Sequence, residues 1–114
     1  MGKFLLFILC IGAAIVPKAA VAADQNDEGK ELYRQKCVMC HGQEGNGEGP
    51  ARAAFSPPPT DFTAPQFWKR KDIDQFIATT VKNGHGSMPA FDLPPENIQA
   101  ITDYMTHAFR QASQ

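Results

Sequence analysis

Two cysteines and a histidine stand within five residues, in the run Cys37-Val38-Met39-Cys40-His41. Thiols three residues apart at a helix end can reach the two vinyl groups of a haem and form thioethers, and the histidine that follows can reach the iron. Two cysteines at this spacing also occur in disulfides, thiol redox pairs and zinc sites. The adjacent His41, the absence of a βαβ pattern and the lack of further clustered ligands favour one covalently attached haem.

A haem iron that is closed to exchange needs a second axial ligand, and the chain offers several methionines and histidines. Met39 lies inside the motif, on the wrong side of the ring, while Met105 and His107 fit the core and the surface of a terminal helix. Met88 lies in the loop Gly84-His85-Gly86-Ser87-Met88-Pro89, whose glycines allow the backbone to press closely on a flat ring. The sequence therefore predicts Met88 as the sixth ligand, with His85 as the alternative.

The periodicity of the apolar residues predicts helices at both ends of the domain. One helix is expected from Asp24 to Cys40, a second from an N-cap at Asp72 to Asn83, and a third from Pro95 onward. Residues 42–70 are rich in glycine and proline and predict an irregular segment wrapped around a functional group. Because no segment shows sustained strand alternation, the expected fold class is all-α.

The N-terminus has the features of a secretory signal peptide. Lys3 is followed by the apolar run Phe4–Val16, which is shorter than the ~20 residues of a membrane-spanning helix. Small residues at 19–23 then suit a signal peptidase. We therefore expect residues 1–23 to be a cleaved signal peptide, residues 24–114 to be the mature domain, and the protein to be periplasmic or secreted.

Removal of 23 residues from 114 leaves 91, enough for one small domain. Cys10 leaves with the signal peptide, so the mature chain keeps only the two cysteines of the motif. The 11 basic residues lose Lys3 and Lys18, which leaves nine against 12 acidic residues and a formal charge of −3. A charge of this sign argues against a nucleic-acid partner.

The chain resembles the class I c-type cytochromes, and small bacterial mono-haem members in particular, over nearly the whole mature domain. The resemblance implies a cytochrome c fold with three main helices, whose N- and C-terminal helices cross beside one haem. It also implies that Gly29 allows close approach of these helices and that Tyr33 packs near Tyr104. The matching residues are Gly29, Leu32, Tyr33, Cys37, Cys40, His41, Gly42, Gly47-Glu48-Gly49-Pro50, Asn83-Gly84, Met88-Pro89-Ala90-Phe91, Ile98, Ile101 and Tyr104.

The resemblance also implies roles for two residues outside the motif. The Pro50 carbonyl would accept a hydrogen bond from the second ring nitrogen of His41 and fix its tautomer. Trp68 would bond a haem propionate through its indole nitrogen, the alternative being a plain core residue. The run Pro57-Pro58-Pro59 departs from the loop of the family.

Iron held between His41 and Met88 has no position open to substrate, so the expected function is one-electron transfer and not catalysis. The partners would be redox proteins that dock transiently, and the mature chain would have no membrane span. Two alternatives remain open at this point. The chain could be a haem subunit of a larger oxidoreductase complex, or a catalytic or gas-sensing haem in which Met88 is unbound.

Overall fold

The computed structural model describes residue 12 and residues 18–114, with side chains described from residue 24 onward. Most of the predicted signal peptide, including Cys10, lies outside the described residues, so its cleavage stays a prediction. No helix in the described part of the chain is both long enough and apolar enough to cross a membrane.

The segment before His41 forms two helices where the sequence predicts one. Helix α1 spans Lys18–Lys36 and helix α2 spans Val38–His41. The chain breaks at Cys37, where φ is −116°, far from the α-helical value of about −63°. The prediction of a single helix over 24–40 was therefore wrong at both ends. Cys37 therefore lies at the junction of the two helices, and Cys40 lies within α2.

Helices α3 (Ile73–Asn83) and α4 (Pro95–Met105) lie where the apolar periodicity predicts them. Gly84 ends α3 with a φ of +74°, a conformation that glycine adopts without strain. Beyond α4 the chain continues as a π-helical turn, Thr106–Arg110. This turn brings Phe109 into the core, where its side chain is 4% exposed.

The crossing of α1 and α4 is the principal helix contact of the described residues. A methyl group built on Gly29 would overlap the Ala100 carbonyl, so the two backbones touch at this point. The Tyr33 ring packs 5.5 Å from the Tyr104 ring, centroid to centroid, and the Tyr33 hydroxyl donates a hydrogen bond to the Gly42 carbonyl at 2.9 Å. Both contacts implied by the resemblance are confirmed.

The connection between α2 and α3 is irregular, as predicted, and contains two short 3-10 helices, Arg52–Ala54 and Pro65–Lys69. Residues 18–114 contain no β-strand, and their one isolated backbone bridge joins His85 and Met88. The all-α fold class is therefore confirmed. The core is assembled from α1, α3, α4, the π-helical turn and the aromatic side chains of the irregular connection.

Replacing Gly29 with alanine tests the helix crossing. Alanine is a better helix former than glycine by about 1 kcal/mol, so Gly29→Ala would stabilise an unpacked helix. At this crossing the overlap with the Ala100 carbonyl should outweigh the gain in helix propensity, so we expect the free energy of unfolding to fall by about 2 kcal/mol. Denaturant unfolding of the haem-loaded protein measures it. Lys30→Ala at the adjacent exposed position is the matched control, and a Gly29→Ala protein as stable as wild type would contradict the tight crossing.

Candidate haem-binding site

The two motif cysteines are free thiols that are half-buried and not joined to each other. Burial, together with the nearby Cys40, raises the pKa of Cys37 to about 12. Thiol redox enzymes need the opposite, a thiolate stabilised at neutral pH. No group of three or more histidine, cysteine or acidic residues that could hold a metal ion occurs among the described residues. The unjoined thiols do not support a disulfide, the raised pKa of Cys37 does not support a thiol redox pair, and the lack of a ligand cluster among the described residues does not support a zinc site.

His41 ends helix α2 and is buried, with 9% of its surface exposed. Its ring nitrogen Nδ1 lies 3.1 Å from the Thr60 carbonyl oxygen, and because a carbonyl can only accept, Nδ1 carries the proton. Burial lowers the pKa of His41, although the Thr60 carbonyl acts in the opposite direction. The ring is therefore kept neutral, and Nε2 is the nitrogen left to bind iron.

The predicted acceptor for His41, the Pro50 carbonyl, is corrected to the Thr60 carbonyl. The segment around Pro50 instead bonds the end of α2. The Gly49 amide donates to the Cys40 carbonyl at 3.1 Å, and the Ala51 amide donates to the Met39 carbonyl at 2.9 Å. These bonds satisfy carbonyl groups at the end of α2, and Pro50, which has no amide proton, lies between the two donors.

The proline run explains why Thr60 reaches His41. Gly47 has a φ of +76°, and a methyl group there would lie 2.6 Å from the Pro59 carbonyl oxygen. The stiff Pro57–Pro59 segment therefore packs directly on the glycine-rich loop that follows His41, which carries Thr60 to the imidazole. The unusual loop of this chain is what supplies the histidine with its hydrogen-bond acceptor.

Trp68 is a core residue in this structure, and its bond to a haem propionate stays a prediction. Its indole nitrogen donates to the Phe62 carbonyl at 2.7 Å, and its side chain is 7% exposed. The indole proton is thereby used within the protein, where it holds the irregular connection between α2 and α3 in place.

Phe62 is a site residue that sequence reasoning missed. Its ring stacks on the His41 ring, with 4.5 Å between centroids and 22° between planes. Phe62 belongs to no periodic stripe, so the only local signal is an aromatic residue after the proline run. Thr60 was missed for a different reason: it contributes its backbone carbonyl, which any residue could supply, and not its side chain.

Met88 closes a tight loop on the C-terminal side of α3. The amides of His85 and Met88 each donate to the other residue's carbonyl, at 3.1 and 2.9 Å, and Gly86 between them has a φ of +56°. Met88 is half-buried against the core, whereas His85 is exposed. The geometry therefore keeps Met88 as the better candidate ligand.

Met105 and His107 lie as predicted, in the core and on the surface, and Met39 is exposed. Met39 is 61% exposed and Met105 is 3% exposed, while His107 is exposed on the surface. The two free thiols and the buried neutral imidazole of one five-residue run, together with the half-buried thioether of the Met88 loop, are the donor types that a covalently attached haem requires.

Comparison with protein families gives a match over most of the chain. The family model described as "Cytochrome C oxidase, cbb3-type, subunit III" matches residues 24–105. A comparison with curated proteins finds no match. The matched segment contains the cysteine motif, Thr60, Phe62 and Met88.

Removing both motif thiols tests covalent attachment. We expect the mass of the mature chain to exceed its polypeptide mass by one haem that survives acid-acetone extraction, and a Cys37→Ala/Cys40→Ala variant to lose this extra mass. Met39→Ala, which changes the exposed residue between the thiols, is the control and should retain it. A wild-type protein that loses its colour on extraction would overturn thioether attachment.

Proposed function

Because the chain belongs to the family of cbb3-type cytochrome c oxidase subunit III and therefore carries covalently bound haem c, we propose that it is a mono-haem one-electron carrier with His41 and Met88 as its axial ligands. When bound, the haem supplies an iron that alternates between the ferric and ferrous states. The observation that carries the proposal is the buried, neutral His41, held through Nδ1 beside two free thiols.

His41 contributes more than a nitrogen atom. Donation from Nδ1 to the Thr60 carbonyl at 3.1 Å fixes the tautomer and raises the basicity of Nε2. Burial of the ring lowers the pKa of His41, so protonation does not compete with ligation at neutral pH. An imidazole held in this way needs little rearrangement when the charge of the centre changes.

Met88 determines whether the centre transfers electrons or reacts with small molecules. A thioether on the second axial position closes the iron to substrates and favours the reduced state. The tight loop that carries Met88 and its half-burial against the core support this role. His85, the one histidine in the same loop, is exposed, which leaves the sixth position without an obvious acid or base for catalysis.

A second candidate function is a haem subunit of a larger oxidase complex, and the description of the matching family favours it. In that case the mature chain would pass electrons within an assembly and not as a free carrier. The redox chemistry at His41 and Met88 is the same in both cases, and only the partner differs.

We also propose that the domain works outside the cytoplasm, in the periplasm or as a secreted protein. The support is the sequence alone: the apolar run Phe4–Val16 after Lys3, followed by small residues at 19–23.

Substitution of Met88 tests the ligation. Met88→Ala should lower the midpoint potential and open the ferrous iron to carbon monoxide, because a favourable ligand of the reduced state is lost. His85→Ala in the same loop and Met39→Ala at an exposed methionine should leave the optical spectrum and the potential nearly unchanged. A His85→Ala variant that alone altered the spectrum would reassign the ligand. Binding of carbon monoxide by the wild type would instead support the gas-sensing or catalytic alternative.

The molecular mass in solution distinguishes the two candidate functions. A free carrier should purify without detergent as a monomer, with a mass below the 12.5 kDa of the full polypeptide plus one haem, and should be reversibly reduced. Light scattering coupled to gel filtration measures this mass. Recovery of the chain only in a larger assembly from its native membrane would support the subunit role instead.

A further inference from the structure

The segment Thr60–Phe62 contacts the His41 ring in two different ways. The Thr60 carbonyl accepts the Nδ1 proton at 3.1 Å, and the Phe62 ring stacks on the imidazole face at 4.5 Å. The hydrogen bond fixes the position of one ring atom. Because the Cβ–Cγ torsion of histidine is broad, this bond alone leaves the ring able to rock about the line from Nδ1 to the oxygen. A flat neighbour at stacking distance removes that freedom.

Phe62 is itself held by hydrogen bonds at both ends of its backbone. Its amide donates to the Gly45 carbonyl at 2.6 Å, and its carbonyl accepts the Trp68 indole proton at 2.7 Å. The first bond ties the residue to the loop after His41, and the second ties it to the 3-10 helix that precedes α3. The Phe62 ring, which is 8% exposed, therefore projects from a fixed backbone.

The face of Phe62 is also supported from the C-terminal end of the chain. The Phe109 ring lies 6.1 Å from the Phe62 ring, with 23° between their planes. Phe109 comes from the π-helical turn and packs against Gly45, where a methyl group would come within 2.9 Å of its ring. Phe109 and the Gly45 loop therefore limit how far Phe62 can move.

We propose that Phe62 is a positioning residue that sets the plane of the His41 ring and thereby tunes the redox potential, with Phe109 as its support. The inference rests on the proposed ligation of iron by His41. Residues that orient a ligating histidine control its electron donation to the metal. If Phe62 is removed, the His41 ring becomes free to rock, its Nε2 lone pair is aimed less well at the iron, its donation to ferric iron weakens, and the potential rises.

The test compares Phe62→Leu with Phe62→Tyr and Phe67→Leu in the haem-loaded protein. Phe62→Tyr keeps a flat ring against His41. Phe67→Leu removes a neighbouring ring whose centroid is 5.0 Å from that of Phe62, so it reports general loosening of the cluster. The measurements are the ferric electron paramagnetic resonance spectrum, which reports the orientation of the axial ligands, and the midpoint potential.

We expect Phe62→Leu to broaden or split the ferric signal and to raise the potential, and the other two variants to resemble wild type. Equal changes in Phe62→Leu and Phe67→Leu, or no change in Phe62→Leu, would overturn the inference. If Phe62→Leu fails to fold or to attach haem, Phe109→Leu takes its place, with a smaller shift of the same sign expected and an unchanged spectrum counting against the proposal.

The wild-type spectrum separates this inference from the proposed function. A wild type without the low-spin signature of histidine and methionine ligation would refute the proposed function whatever Phe62 does. A wild type that shows the signature, with Phe62 variants that leave it unaltered, would refute the positioning role alone.

Discussion

Burial of the His41 imidazole, with its Nδ1 proton held by the Thr60 carbonyl, is the constraint around which the irregular half of the domain is arranged. A buried imidazole without a partner for its N–H group would carry a desolvation cost of about 1–3 kcal/mol. The acceptor must therefore be brought to the ring, and it comes from a residue 19 positions away in the chain. The glycine-rich loop, the proline run and the first 3-10 helix lie between the two partners.

The chain on either side of Thr60 is fixed by contacts that do not involve the cysteine motif. Close packing of the Pro59 carbonyl on Gly47 fixes the path of the loop before Thr60. The Trp68 indole bond to the Phe62 carbonyl fixes the path after it. The connection between α2 and α3 has no long helix, and these contacts fix its path on both sides of Thr60.

The sequence predicted well those features that depend on neighbouring residues. The ends of α3 and the start of α4 follow from apolar spacing and from Gly84 and Pro95, which act locally. The cysteine motif follows from local residue types, and the approach of α1 to α4 at Gly29 follows from the family resemblance. For the helix ends and the motif, the information lies within a few residues of the feature itself.

The contacts that hold His41 could not be read from the sequence. Pro50 was expected to serve His41, but its neighbours bond the end of α2, and a backbone carbonyl that any residue could supply takes its place. Nothing in the sequence indicated that the Phe62 carbonyl, six residues from Trp68, accepts the indole proton of Trp68. Phe62 has no periodic neighbours that would mark it. Such contacts depend on the path of a connection rich in glycine and proline. In such a segment, residue types determine where the chain turns but not which residues the turns bring into contact.

The division of the chain into a regular and an irregular half suits a covalently attached group. Thioethers from Cys37 and Cys40 would tie one edge of the haem to the junction of α1 and α2, so the helices need not enclose it on every side. The loops would then have only to place the two proposed axial ligands. One loop does so by holding His41 from outside the motif, and the other by closing a tight turn at Met88. A small domain buries a limited core of its own, and Phe62, which belongs to that core, also stacks on the His41 ring.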